Sequence, residues 1–149
     1  MKIKLLLFLI LVIIAGIFAV TKTVNKSNET GKTQIKAAEN IFSPQTNSEG
    51  DVEVEAVPKV SKDKKSWSFK IALTTHAGSL DEDLVKNSSL IDGRGNELSP
   101  IRWKGSSPGG HHREGILVFP PFSQTSKSVK LILRNIGEIP ERSFIWNTK

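Results

Sequence analysis

Three histidines are the side chains best suited to metal binding or catalysis in this 149-residue chain. His76 ends a segment of alternating apolar residues, and His111 and His112 stand side by side after a Gly-Gly pair. Asp81 and Asp83 lie close to His76 in sequence. Imidazole and carboxylate groups together suit Zn²⁺ or Cu²⁺, and the chain has no Cys to supply a thiolate. These five residues therefore form a candidate metal site, with zinc or copper as its ion.

The adjacency of His111 and His112 works against that site. Neighbouring residues on an extended strand point to opposite faces, so both rings could grip one ion only if the turn at 109–110 bends the backbone between them. The alternative is that one ring bonds to loop carbonyls while the other is exposed. The acids at 81–83 equally suit the first turn of a helix, because they lack the Gly and terminal Glu of an EF-hand loop.

A serine hydrolase needs a nucleophile, a base and an acid, and Ser106 or Ser107 with His111 could supply the first two. The segment from Gly105 to Gly109 reads Gly-Ser-Ser-Pro-Gly, which does not match the Gly-x-Ser-x-Gly nucleophile elbow. The sequence therefore predicts no enzyme and no catalytic residue.

Arg113 and Trp103 complete the candidate binding surface. Arg113 is expected to pair with Asp81 or Asp83, which would hold loops together rather than catalyse. Trp103 suits the apolar core as well as a contact surface, since large aromatic side chains bury much area in either place.

Strands are expected to position all of these residues. Val52, Val54 and Ala56 alternate with glutamates, and the segment Trp67–Thr75 alternates over nine residues, as half-buried strands do. Asp92–Asn96 contains Asp-Gly and Gly-Asn pairs typical of a hairpin loop. The flanking strands are expected at 89–91 and 97–103, and three more at 113–119, 129–133 and 144–146.

Two local features refine this outline. Ser79 and Glu82 form a capping box, so Leu80–Lys86 is predicted to make one or two helical turns. Ile116–Phe119 is a continuous apolar run, which predicts a strand covered on both faces and ended by the two prolines at 120–121.

The spacing of these strands predicts an all-β domain. Seven short strands with turn signals every 8 to 12 residues are typical of an immunoglobulin-like β-sandwich. A small open barrel is the competing architecture. Because the chain lacks Cys, the inter-sheet disulfide of antibody domains is absent.

The N-terminal residues predict a location at a membrane. Lys2 and Lys4 precede sixteen uncharged residues, Leu5–Val20, so residues 1–24 are either an uncleaved signal anchor or a cleaved signal peptide. Residues 25–50 are polar and predict a disordered linker, and residues 51–149 hold the β-sandwich. The domain is expected outside the cytoplasm, tethered to the membrane, or secreted if the leader is cleaved.

The charge pattern bounds the partners. The formal net charge is +6, but residues 51–149 hold 15 Lys and Arg against 12 Asp and Glu, spread along the segment. Nucleic-acid binding needs basic residues on one face with stacking aromatics, so no nucleic-acid partner is expected. The expected partners are the membrane, through the N-terminal helix, and a protein of the cell envelope.

Residues 103–120 resemble a group of small extracytoplasmic prokaryotic domains that carry a W-x-G-x-x-P-G-G-H-H-R string. Thr75-His76 and the C-terminal segment 139–146 add to the resemblance, which covers about residues 51–149. It implies a β-sandwich behind a signal peptide or membrane anchor, and it implies no catalytic residue. The leading hypothesis is thus a binding or structural module, and a zinc- or copper-binding protein is the alternative.

Overall fold

The computed structural model describes residues 42–148, and this part of the chain is all β. The strands are β1 (Gln45–Asn47), β2 (Val52–Val60), β3 (Trp67–Thr75), β4 (Ser88–Asp92), β5 (Glu97–Leu98), β6 (Arg102–Gly105), β7 (His112–Val118), β8 (Ser128–Ile136) and β9 (Ile139–Asn147). The membrane or signal helix predicted at 1–24 lies outside the described residues. Between residues 42 and 148 no helix is long and apolar enough to cross a membrane.

Two antiparallel sheets make up the described region. One contains five strands in the order β1-β2-β3-β7-β6, and the other contains four in the order β5-β4-β8-β9. The all-β prediction is confirmed, with nine strands rather than seven because β1 was not expected and one predicted strand is divided. Strand β1 lies within the stretch whose composition predicts a linker.

The two sheets share one apolar core. Alternate residues of β2 and β3 are buried, as the period of two predicts, and the Phe69 ring on β3 lies 5.2 Å from the Trp146 ring on β9. Fully burying an apolar side chain of this size stabilises a fold by roughly 1.5–3 kcal/mol. The core extends under the loops through Leu80 and Leu84, which are both buried.

The helix predicted at 80–86 is wrong. A single hydrogen bond of 2.9 Å from the Asn87 amide to the Asp83 carbonyl closes one turn, and β4 begins directly after it. Burial of Leu80 and Leu84 ties both ends of this short segment to the core. Glu82 does not complete a capping box, because its Oε1 accepts a 2.9 Å hydrogen bond from the Gly137 amide instead.

The strand predicted at 97–103 is divided between the two sheets. Residues 97–98 pair with β4 in the four-stranded sheet, whereas residues 102–105 pair with β7 in the five-stranded sheet. Pro100 is buried at the crossing and has no amide hydrogen to donate to either ladder. The chain therefore changes sheets at this point.

Strand β7 is covered on one face, so the prediction of two covered faces is also wrong. Arg113 and Leu117 are buried, whereas Ile116 and Val118 are half-buried and His112 and Glu114 are exposed. The outer face of the five-stranded sheet has no layer on it within the described residues, which accounts for this alternation.

Residues 43–49, called the strap below, join the two sheets along one side. Strand β1 pairs with β2, while the Trp146 indole donates a 2.8 Å hydrogen bond to the Ser43 carbonyl. The side-chain Nε2 of Gln45 then donates to the Ile145 carbonyl at 2.6 Å, and its Oε1 accepts from the Ile145 backbone amide at 3.1 Å. Gln45 thereby pairs with β9 as a backbone residue would.

A buried arginine fixes the end of the strap. Arg142 is 1% exposed, and its guanidinium donates to the Asn47 carbonyl and side chain, to the Glu49 carbonyl at 2.7 Å, and to the Ile136 carbonyl. Burial lowers the pKa of Arg142, and the charges of Glu49 and Glu82 act in the opposite direction. Its five donors bind four acceptors, so the strap and the β8–β9 turn are held by one side chain.

Candidate functional site

Two loops meet where the sequence placed the candidate site. The Leu80 amide donates to the Gly110 carbonyl at 3.0 Å, and the Gly109 amide donates to the Leu80 carbonyl at 2.9 Å. Gly109 and Gly110 have φ of +113° and +73°, which side chains with a Cβ rarely adopt. The tight turn suggested by the Gly-Gly pair is therefore present, and it places His111 directly before β7.

Arg113 fastens this end of the domain from inside. It is 3% exposed, and its guanidinium donates to the carbonyls of Glu82 at 2.6 Å, Leu80 at 3.3 Å and Ser106 at 3.4 Å. The expected ion pair with Asp81 or Asp83 is not formed, because these donors go to backbone carbonyls instead. A buried guanidinium that donates to three carbonyls of two loops holds these loops together, and it is called the Arg113 clamp below.

Trp103 lies over the pairing of β6 with β7. Its indole donates a 2.9 Å hydrogen bond to the Ser106 carbonyl, and the Arg113 guanidinium carbon lies 5.5 Å from its ring. Gly105 and Gly115 are register partners, and a Cβ on either would come within 2.8 Å of the Trp103 ring. Two glycines thus make room for the ring, which is half-buried and supports Arg113.

The three imidazoles are all exposed at this end. His112 Nδ1 lies 3.3 Å from the Thr74 hydroxyl, its neighbour across the β3–β7 ladder. His76 lines a shallow cleft of about 210 Å³ whose other walls come from the turn before β2 and from the end of β3. The remaining lining residues are Ser48, Gly50, Asp51, Glu53 and Thr74. His111 contributes its backbone, since its carbonyl accepts a 2.9 Å hydrogen bond from the Thr75 amide.

Asp81 and Asp83 are exposed, and Asp83 has a local structural role. Its Oδ1 accepts hydrogen bonds from the amides of Lys86 at 3.2 Å and Val85 at 3.0 Å, and its Oδ2 lies 3.4 Å from the Lys86 ammonium. The hydrogen bond from the Lys86 amide, together with the others, outweighs desolvation and lowers the pKa of Asp83. Asp83 therefore caps the 84–87 turn.

The five predicted metal ligands are not assembled as one site. Between residues 42 and 148, no group of three or more His, Cys, Asp or Glu side chains is placed to hold a metal ion. Asp83 is engaged with its own turn, and His112 with Thr74. Metal binding stays a prediction from residue types, without a cluster to support it.

Of the two serines in the hydrolase hypothesis, Ser106 is engaged elsewhere. The Ser106 hydroxyl donates to the Glu114 carbonyl at 3.2 Å and accepts from the Glu114 amide at 3.4 Å. Its partners are thus backbone groups of β7 and not an imidazole. A nucleophile activated by a base would need a hydrogen bond to that base.

Sequence reasoning missed Arg142 and assigned Glu82 to a capping box that is not formed. Glu82 Oε2 is buried and is the one such side-chain atom without a hydrogen-bond partner in the described region. Arg142 falls on the inward phase of β9, two residues before Phe144 and four before Trp146. Its spacing from these two inward-facing aromatic residues was the feature of the sequence that could have identified it, since an inward-facing arginine in an alternating strand must bind buried acceptors.

Comparison with protein-family models, with curated proteins and with solved structures finds no match to this chain.

Proposed function

We propose that this chain is an immunoglobulin-like β-sandwich, tethered to a membrane and held outside the cytoplasm, that binds a protein partner through the loop end containing His76, His111 and His112. It is proposed as a binding module and not as an enzyme. The leader sequence, with two lysines before sixteen uncharged residues, supports the location.

Strand order supports the immunoglobulin-like part of the proposal. In such sandwiches strands A, B, E and D form one sheet and C, F and G the other, with C′ added beside C in some members. Taking β2 as strand A, the order β2-β3-β7-β6 corresponds to A-B-E-D, and β5-β4-β8-β9 corresponds to C′-C-F-G. The aromatic contact between Phe69 on strand B and Trp146 on strand G joins the two sheets of this assignment, whereas antibody domains join strands B and F by a disulfide.

The Arg113 clamp is the observation that carries the binding role. It fixes the two loops by hydrogen bonds to their carbonyls, so the exposed imidazoles are displayed on an ordered support. Neither Ser106 nor Asp83 is free to serve as a reacting group with them. An exposed surface on rigid loops favours recognition, because little conformational entropy is lost on binding.

Location can be tested with single cysteines, because the chain has none of its own. A cysteine at Ser107, in the exposed loop, should react with a membrane-impermeant maleimide in intact cells. A cysteine at Lys2 should react only after the cells are permeabilised. Labelling of both positions, or of Lys2 alone, in intact cells would contradict the proposed orientation.

Binding can be tested with a photo-crosslinking amino acid at the same loop. A crosslinker at Ser107 should capture a discrete partner in intact cells, and the variant H111A/H112A should reduce capture. A crosslinker at Ser143, which is exposed on the other sheet, is the matched control. Equal capture from both positions, or capture unaffected by loss of the imidazoles, would remove the loop end as the binding surface.

A further inference from the structure

The two ends of the domain carry opposite charge. The loops at the end where residue 42 enters are 61–66, 93–96 and 119–127, and they hold five basic residues and one acidic residue. These are Lys62, Lys64, Lys65, Arg94 and Lys127, with Asp63. The opposite end carries the three histidines and is called the histidine end, and its loops hold six acidic residues and one basic residue: Glu49, Asp51, Asp81, Glu82, Asp83 and Glu138, with Lys86. The buried guanidiniums of Arg113 and Arg142 bind carbonyls of these loops, so this end has six acidic groups against three basic ones and is still acidic.

Contacts show that the basic loops form one end together with the entry point of the chain. The Phe42 ring packs edge-on against Trp67 with centroids 5.4 Å apart, directly after the 61–66 loop. The Phe122 amide donates to the Lys65 carbonyl at 3.0 Å, and the Lys64 ammonium donates to the Thr148 carbonyl at 2.7 Å. The polar segment from the leader therefore joins the domain at its basic end.

Most of this positive charge is not neutralised within the domain. Arg94 pairs with Asp92, but none of the five lysines at or next to this end forms a salt bridge with another described residue. Those lysines are Lys59, Lys62, Lys64, Lys65 and Lys127, of which Lys59, Lys62 and Lys127 are exposed and Lys64 and Lys65 are half-buried. Arg102 is also exposed at the start of β6.

We propose that the basic end of this domain docks on the anionic lipid headgroups of the membrane to which the chain is tethered, which directs the histidine end away from the bilayer. The inference rests on the tether of the proposed function. Each Lys or Arg close to an anionic surface raises the bound population about fivefold, and the effect fades within a Debye length of about 8–10 Å. The acidic histidine end is repelled by the same surface, so both ends favour one orientation.

The test uses the full chain reconstituted in phosphatidylcholine vesicles with or without phosphatidylglycerol. Single cysteines at Ser123, in the basic-end loop, and at Ser107, in the histidine-end loop, carry a donor dye, and labelled lipid headgroups carry the acceptor. Energy transfer from position 123 should rise when phosphatidylglycerol is present and should return to the phosphatidylcholine level at high salt. Transfer from position 107 should not rise.

Charge reversal gives the matched comparison. The variant K62E/K65E/K127E should lower the docked population by more than tenfold and abolish the rise in transfer. The variant K86E/K104E/K130E makes the same change in net charge outside the basic-end loops and should keep the rise. Fluorescence of Trp67, Trp103 and Trp146, which all lie in the described domain, checks that both variants are folded.

The outcomes separate this inference from the tether. If the chain resists carbonate extraction but position 123 shows no dependence on anionic lipid, docking is refuted and the tether stands. If the chain is extracted, the tether fails, and salt-sensitive flotation with phosphatidylglycerol vesicles still decides docking. Retention of polyglutamate by the basic end, with no preference between the two vesicle types, would overturn the lipid proposal in favour of an acidic protein partner.

Discussion

Replacing Arg113 with Met tests whether the buried guanidinium stabilises the histidine end. Two of its acceptors keep another donor, since the Leu80 carbonyl retains the Gly109 amide and the Ser106 carbonyl retains the Trp103 indole. The Glu82 carbonyl loses the one donor that it has among residues 42–148, which costs about 1–3 kcal/mol. Loss of the contact with the Trp103 ring adds about 1 kcal/mol.

Relief from burying a charge offsets part of that loss, because a buried guanidinium is costly to desolvate. We therefore expect R113M to lower the free energy of unfolding by about 2 kcal/mol and the melting temperature by roughly 10 °C. Far-ultraviolet circular dichroism on the full chain measures the melt without depending on Trp103. Amide hydrogen exchange at Leu80 and Gly109 should also become faster, since the clamp holds both loops.

Arg102 on the neighbouring strand provides the control. It is exposed, so R102M should change the free energy of unfolding by no more than about 0.5 kcal/mol. If R113M melts at or above the temperature of the unmodified protein, the desolvation cost exceeds the hydrogen bonds, and Arg113 is not a stabilising clamp.

Three further predictions concern stability. G115A should destabilise the domain by about 2 kcal/mol or more in urea unfolding, because its Cβ would lie 2.6 Å from the Lys104 carbonyl and the Gly105 Cα; an unchanged midpoint would show that β6 shifts freely. Q45E should lower the free energy of unfolding by about 1 kcal/mol, since a carboxylate cannot donate to the Ile145 carbonyl. Q45N should not keep the two hydrogen bonds to Ile145 either, because its side chain is too short. Equal stability of Q45E and the unmodified protein would contradict the strap contact. Burial raises the pKa of Asp92, but hydrogen bonds from Asn96 and Arg94 outweigh burial and bring the pKa to about 2 from 3.8. The ionised Asp92 therefore stabilises the fold by about 2 kcal/mol above pH 4, and this stabilisation is lost as the pH falls towards 2. D92N should lack that loss in an acid titration, and an identical acid transition in both proteins would refute the prediction.

The strands could be predicted from sequence where one face alone is buried. In β2 and β3 the alternation of apolar and polar residues follows directly from burial on one side, so both strands were located within a few residues. The prediction of a helix at 80–86 failed because long-range contacts determine the conformation of this segment. Asp83 does cap a turn, but Leu80 and Leu84 reach into the core, and these long-range contacts are not encoded in a capping pattern.

The sequence predicts which end of the domain carries the candidate residues, but it does not predict the contacts between them. The Gly109-Gly110 turn and the end of β3 place the histidines at one end of the domain, as their sequence context indicates. The partners of Arg113 could not be predicted, since they are backbone carbonyls brought near by folding rather than the nearby acids at 81–83. Charge type suggests an ion pair, whereas the buried guanidinium binds the backbone carbonyls that the fold brings within its reach.

The strap gives the domain a mechanical property. Chain tension arriving through residue 42 would pull β1 along its own length, against β2 on one side and the Trp146, Ile145 and Arg142 contacts on the other. These bonds would share the load in shear instead of opening one after another. Removing the Arg142 anchor would therefore be expected to weaken the protein under force more than its loss of equilibrium stability suggests, because resistance to pulling depends on the unfolding rate.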